Sequence, residues 1–291
     1  MTMLPNALII GVQKSATSWL SARLSQHPDA YVVPGEVHYF DREKNYRKGV
    51  EWYSDLFAGA RDAKVRCEKT GAYFWTNCEG VPAEPTDKPE RIKAILPDVK
   101  LIVVLRDPIA RAYSAWNHVV RAGRVRECGE APDFFAPRLA KPVQRHGILT
   151  RGLYHAQLTR FLEIFDSKQI LVLIQERDVI ADPVKGMRKV CEFLDLNPDV
   201  EFSALREPEN RFEGTRLGNR LAVQLSGPLH EFVHRIDRYL LTRLPLQRLA
   251  YPKGDPQTIA ALADYFEDDC RRLREVVGPL PNNWLMGQLT Q

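Results

Sequence analysis

The chain has 291 residues, 44% of them hydrophobic and 27% charged, which suits a single large α/β domain over residues 1–291 with a full core. No run of about 18 apolar residues is present, so no segment is suited to spanning a membrane. The net charge of +4 fits an anionic cosubstrate and leaves no basic footprint for nucleic acid.

In chain order, the first element is an apolar strand, Leu8 to Val12, which empties into Gln13-Lys14-Ser15-Ala16-Thr17-Ser18-Trp19. A strand, a short turn of small and hydroxyl residues with one lysine, and a helix start form a phosphate cradle. Backbone N–H groups point at the anion, the helix dipole favours it, and the lysine adds a full charge. Ala16, Trp19, Leu20 and Leu24 line one face of the helix, which should stop near His27 because Pro28 disfavours helical geometry in the residue before it. Lys14 follows Gly11 by three residues with no glycine directly before it, so the loop is not a Walker A sequence.

Next come Pro34-Gly35-Glu36-Val37-His38-Tyr39-Phe40-Asp41 and Glu68-Lys69-Thr70-Gly71-Ala72-Tyr73-Phe74. If the first segment is extended, Glu36 and His38 share a face and Val37 and Tyr39 take the other. A carboxylate or an imidazole so placed can take a proton from a hydroxyl or amine. The residue types leave His38 open as a carboxylate's partner, and Lys69 open as a salt bridge to Glu68 or Asp41.

Lys100 to Leu105 is a second apolar, β-branched run suited to a strand buried on both faces. It ends at Arg106-Asp107-Pro108, where Asp107 as N-cap and Pro108 at the first helical position predict a helix. Ala112, Tyr113, Trp116, Val119 and Val120 form its apolar stripe, with Arg111 and Ser114 outside it. Arg106 at the carboxyl end of a parallel strand lies where ligands bind in open α/β sheets, and Ser114 is two turns further on.

Taken together these segments resemble sulfotransferases that use 3′-phosphoadenosine 5′-phosphosulfate (PAPS). Gln13 to Trp19 is similar to their 5′-phosphosulfate loop, and Arg106 to Ser114 matches R-D-P-x-x-R-x-x-S, their 3′-phosphate element. The segments at 36–41 and 68–74 look like E-V-H-[FY]-F-D and E-K-[TS]-x-x-Y-F of the heparan sulfate N- and 3-O-sulfotransferase branch. The resemblance implies a three-layer α/β/α, P-loop-NTPase-like fold with a central parallel sheet, and sulfonyl transfer from PAPS, leaving PAP, with no metal. Carried over, Lys14, Ser15, Ala16, Thr17, Ser18 and Trp19 hold the phosphosulfate, and Arg106 and Ser114 the 3′-phosphate. Glu36 is the general base, with His38, the base in a sister branch, as its rival; His38, Asp41 and Lys69 shape the acceptor site. The acceptor is a hydroxyl or amine of a carbohydrate or other small molecule.

Arg151-Gly152-Leu153-Tyr154, the strand Gln169 to Ile174 and the helix opened by Asp182-Pro183 follow the family order; Arg151 and Tyr154 can approach the nucleotide or equally pack or pair locally, and Tyr154 is assigned to the nucleotide. The resemblance covers about residues 6–196 and thins after 200, leaving a mainly helical part, 197–291. Arg216, in Phe212 to Gly218, is assigned to the 3′-phosphate. Residues 221–249, with His230 and His234, read as a basic amphipathic helix or helix pair that packs on the core or touches a membrane surface. Residues 121–147 read as a loop, and Asp255-Pro256 opens a terminal helix. Met1 to Pro5 leads straight into the first strand, so no signal peptide is expected and the expected setting is a bacterial cytoplasm. Five cysteines, an odd number with no C-x-x-C pair, argue against a disulfide framework. Two other readings share the phosphate logic: a small-molecule kinase, and a non-catalytic PAP- or PAPS-binding protein.

Overall fold

A computed structural model describes residues 3–60, 62–78, 87–122, 132–207 and 254–286, with Val233 and Ile236. Their elements in chain order are β1 (Ala7–Gly11), α1 (Thr17–Leu24), β2 (Ala30–Val32), α2 (Glu43–Tyr46), α3 (Gly49–Asp55), β3 (Val65–Lys69), α4 (Lys88–Ile95), β4 (Lys100–Leu105) and α5 (Pro108–Arg121). They continue with α6 (Ala140–Arg145), α7 (Tyr154–Leu162), β5 (Ile170–Ile174), α8 (Pro183–Phe193) and α9 (Pro256–Val277). None of the helices among the described residues is long and apolar enough to cross a membrane. The described residues fall into two compact units. The first is drawn from Met1–Asp107, Leu153–Glu209 and Asp268–Asn282, the second from Pro108–Gly152, Asn210–Glu267 and Asn283–Gln291.

The first unit is built on a five-stranded sheet in the order β2-β3-β1-β4-β5, with every pair parallel. Both faces are covered, as the unbroken apolar runs require. On one face Ala7, Ile9, Val65, Cys67, Ile102, Val104 and Leu173 pack with Trp19, Leu20 and Leu24 of α1 and Met187, Val190 and Cys191 of α8. On the other, Leu8, Ile10, Leu101, Val103 and Leu105 are fully buried. The chain runs from β1 out to the edge strand β2, steps back to β3 beside β1, then crosses to lay β4 on the other side of β1. The strand order therefore reverses between β1 and β4, which is the crevice where open α/β sheets bind ligands. Ala7 to Ile9 pairs with Lys100 to Ile102 and, after a one-residue bulge at Ile10, Gly11 pairs with Val103, so the carboxyl ends of these strands lie side by side. This is the α/β architecture expected.

The three helices opened by an aspartate–proline pair start where expected, α5 at Pro108, α8 at Pro183 and α9 at Pro256, and the Asp182 carboxylate accepts from Lys185 N–H at 3.0 Å. A π-helical stretch, Gln175–Ala181, separates β5 from α8 and was not anticipated.

Two expectations are corrected in the second unit. Arg111, placed outside the apolar stripe of α5, is fully buried, and its guanidinium donates to the Ile148 carbonyl. Residues 132–147, read as a loop, hold a 3-10 turn (Pro137–Leu139) and α6, anchored by buried Phe134, Leu139 and Val143. Phe134 meets the rings of Tyr113 and Trp116 edge-on. Proline at the first position of the 3-10 turn starts a helix rather than breaking one.

Candidate active site

The turn after β1 has the shape of an anion cradle. Gly11 lies so close to Phe74 that a Cβ would come 2.6 Å from the Phe74 Cβ, so only glycine fits. Lys14 and Ala16 both adopt left-handed backbone, φ 72° and 60°, the kind of conformation from which N–H concavities for anions are formed. Ala16 is the N-cap of α1, and Ser15 and Thr17 are buried beside it. The Ser15 hydroxyl is fully enclosed and has no hydrogen-bond partner among the described residues. A phosphate or sulfate oxygen would satisfy it, so the donor set fits the phosphosulfate group. Trp19 belongs to the loop by sequence, but its side chain does other work: it is buried, and its indole N–H donates to the Leu205 carbonyl at 3.0 Å.

At the end of the neighbouring β4, Arg106 is buried and donates through Nη1 to the Lys14 carbonyl at 3.2 Å. The structure thus brings Lys14 and Arg106 together across the crevice. Tyr154, expected at the nucleotide, is fully buried, and its hydroxyl donates to the Arg106 carbonyl at 2.8 Å. On the other side of that peptide, Asp107 N–H donates to Glu176 at 3.0 Å. Tyr154 acts on the strand end and so on Arg106. Ser114 is half-buried on α5 in the second unit. Arg216 and nearly all of 221–249 lie outside the described residues.

The second cluster sits on the segment after β2 and the end of β3. His38 Nδ1 is 2.8 Å from Asp41 Oδ2, and its Nε2 is 3.2 Å from Glu36 Oε2. The other Glu36 oxygen lies 3.4 Å from Lys69 Nζ and accepts from Gly71 N–H at 3.4 Å. Lys69 also donates to the Ser18 hydroxyl, at 3.4 Å, and thereby ties this cluster to the anion loop. Glu36, His38, Asp41 and Lys69 are all brought together. Lys69 pairs with Glu36 rather than with Glu68 or Asp41. Glu36 and His38 do meet, but not by strand alternation: His38 is left-handed, φ 55°, and no strand spans the segment.

Electrostatics follow from this wiring. Burial pushes the Glu36 carboxyl up, but the His38 hydrogen bond, the charges of Lys69 and His38 and the Gly71 N–H together hold it down at about 2. Burial pushes His38 down, and the hydrogen bonds to Asp41 and Glu36 with the Asp41 charge outweigh it, raising the imidazole to about 9. At neutral pH the pair is therefore carboxylate and imidazolium. The Glu36 side chain is 38% exposed, against 15% for His38 and 10% for Lys69, so Glu36 is the most open of the three.

Sequence reasoning missed Glu68, Thr70 and Tyr73 as functional candidates, although all three stand in the motif that carried Lys69. His230-Glu231-Phe232-Val233-His234, treated above only as part of a basic amphipathic stretch, has the H-E-x-x-H pattern of zinc sites. Apart from Val233 it lies outside the described residues.

Residues 4–210 match the family model described as "Sulfotransferase domain". Human heparan sulfate glucosamine 3-O-sulfotransferase 3B1 is 36% identical over 198 residues, 66% of this chain and 46% of the relative. Mouse heparan sulfate glucosamine 3-O-sulfotransferase 5 is 30% identical over 201 residues, 68% of this chain and 55% of the relative. The chain spans about half the length of these curated relatives. A solved sulfotransferase from Alicyclobacillus acidocaldarius shares the fold, with a TM-score of 0.67 at 24% identity over 96% of this chain and 98% of that one. Mouse sulfotransferase SULT7A1, solved with PAP, gives a TM-score of 0.51 at 16% identity over 94% of this chain and 86% of its own. With a family model matched from residue 4 to residue 210, the chain belongs to the sulfotransferase domain family.

Proposed function

We propose that the chain, acting as one catalytic domain, moves the sulfonyl group of PAPS to a hydroxyl or amine of a carbohydrate or other small-molecule acceptor. The observation that carries this reading is Lys69, whose single ammonium touches both the anion loop, at Ser18, and the carboxylate of Glu36. An acceptor bound at Glu36 would stand beside a group held in the loop, as in-line transfer needs. PAPS supplies the sulfonyl group and leaves as PAP. The loop N–H groups, Ser15 and Lys14 bind the 5′ end and neutralise the charge that builds on the departing oxygen. Arg106 binds the 3′-phosphate.

Glu36 accepts the acceptor's proton. A carboxylate held near 2 is ionised at any physiological pH but weakly basic, so it suits a late transfer, when the new S–O or S–N bond has already made that proton acidic. His38, charged at neutral pH, orients Glu36 and has no free lone pair for the proton. Relatives named for heparan sulfate glucosamine support a carbohydrate acceptor. Nothing observed favours a kinase.

Radiolabelled PAPS incubated with the protein and a panel of amino sugars, oligosaccharides and phenols tests the reading. Label transferred to an acceptor, and lost in Glu36→Gln, supports it. Tight PAPS binding with no transfer to any acceptor would point to the non-catalytic alternative.

A further inference from the structure

A third carboxylate, besides Glu36 and Asp41, lies in the same region, and the proposed chemistry does not use it. Glu68, on β3, is fully buried. Its Oε1 accepts from the hydroxyls of Tyr73 at 2.8 Å and Tyr53 at 3.0 Å, and its Oε2 accepts from the Thr70 hydroxyl at 2.9 Å. Two of these hydroxyls carry the polarity onward. The Thr70 oxygen accepts from His38 N–H at 3.1 Å, and the Tyr73 oxygen accepts from Tyr39 N–H at 2.8 Å and Phe40 N–H at 3.4 Å.

A hydroxyl has one proton to give, and an ionised carboxylate can only accept. Once ionised, above about 7, Glu68 takes those protons and leaves the oxygen lone pairs of Thr70 and Tyr73 facing the main chain. Three successive N–H groups, of residues 38 to 40, belong to no strand ladder and rest on two hydroxyls aligned by this one carboxylate. The first belongs to His38, whose left-handed backbone is uncommon for a residue with a side chain. Asn45 grips the same segment from the carbonyl side, donating to Val37 and His38. From that backbone the ring spans Asp41 and Glu36.

Keeping the acid here is costly. Burial raises Glu68 to about 7 against its bonds from Tyr73, Thr70 and Tyr53, with Asp41 adding to the rise. Apolar residues of similar volume in such a site are often no less stable.

We infer that Glu68 is a positioning residue, acting through Thr70 and Tyr73 on the main chain of 38–40 to set the His38 ring against Glu36. Only the activity readout of this inference rests on the proposed reaction.

The test compares Thr70→Val, which keeps the volume but removes the relay to His38, with Thr70→Ser, which keeps the hydroxyl. Tyr73→Phe, which removes the relay to Tyr39, serves if Thr70→Val does not fold. The readouts are the His38 ring titration by NMR (assigned through its loss in His38→Ala), Tm, kcat and PAP affinity. The groups facing this ring are Glu36, Asp41 and Arg42, all unchanged in these variants. In Thr70→Val the His38 midpoint should fall from about 9 toward the ordinary histidine value. The same variant should lose about tenfold in kcat with PAP affinity intact, and Thr70→Ser should restore both. A lower Tm with His38 titration and kcat unchanged would overturn the inference and leave Glu68 a structural acid. Should the titration shift as expected while the wild type neither binds PAP nor transfers sulfonyl, the positioning role stands and the sulfotransferase reading falls.

Discussion

Lys69 and Glu36 stand 3.4 Å apart, and the same ammonium reaches Ser18 on the anion loop. One buried cation thus serves two sites: it stabilises the carboxylate proposed as base and fixes its distance from the group to be transferred. Lys69→Met should therefore lower kcat by about a hundredfold and leave PAP affinity within a fewfold. Removing the Lys69 charge also lets the Glu36 carboxyl rise from about 2 toward its ordinary value. Since the base acts ionised, the acid limb of kcat should move to higher pH in this variant, read from a pH–rate profile. An unchanged profile would mean that Lys69 does not act on Glu36.

Glu36→Gln keeps the shape and removes the proton acceptor. Turnover should fall by roughly 10²–10⁴-fold with PAP affinity unchanged. If Glu36→Gln retains full kcat while His38→Ala abolishes it, the base is His38.

Arg106→Ala should weaken PAP binding by about tenfold or more, and Arg106→Lys should not restore it, because a point charge cannot reproduce a guanidinium fork on a phosphate. Tyr154→Phe should give a weaker version of the same defect, as its hydroxyl holds the Arg106 carbonyl rather than open solvent. Calorimetric titration of the three variants with PAP checks the ranking.

Stability should depend on pH through His38. Its folded value is raised from 6.5 to about 9, so its contribution is fully present below about 6.5 and is lost as pH rises through about 9. Glu36, lowered from 4.5 to about 2, works the other way: its contribution is present above about 4.5 and is lost as pH falls through about 2. Thermal melts between pH 6 and pH 10 should show Tm falling in the wild type and a flatter curve in His38→Ala. Parallel curves would contradict the assigned wiring.

The strand, turn and helix after Leu8 and the strand end and helix start at Arg106 to Pro108 were legible because their signals each sit within a few residues. The meeting of Glu36 and His38 was also anticipated, although the left-handed backbone that achieves it was not; it depends on Thr70, which is distant in sequence. Glu68 and Arg111 were missed for a common reason. Charged residues are ordinarily exposed, and their burial is decided by partners from other elements, Tyr53 and Tyr73 for one and the Ile148 carbonyl for the other. Helix α6 escaped because prolines at 137 and 142 read as breakers, while the apolar anchors Phe134, Leu139 and Val143 follow no helical period.

Calorimetric titration of the purified protein with PAP, against ATP with magnesium as control, tests the central claim most directly. The account predicts tight PAP binding that is lost in Arg106→Ala, with ATP ignored. Absence of PAP binding alongside clear binding of ATP with magnesium would contradict it.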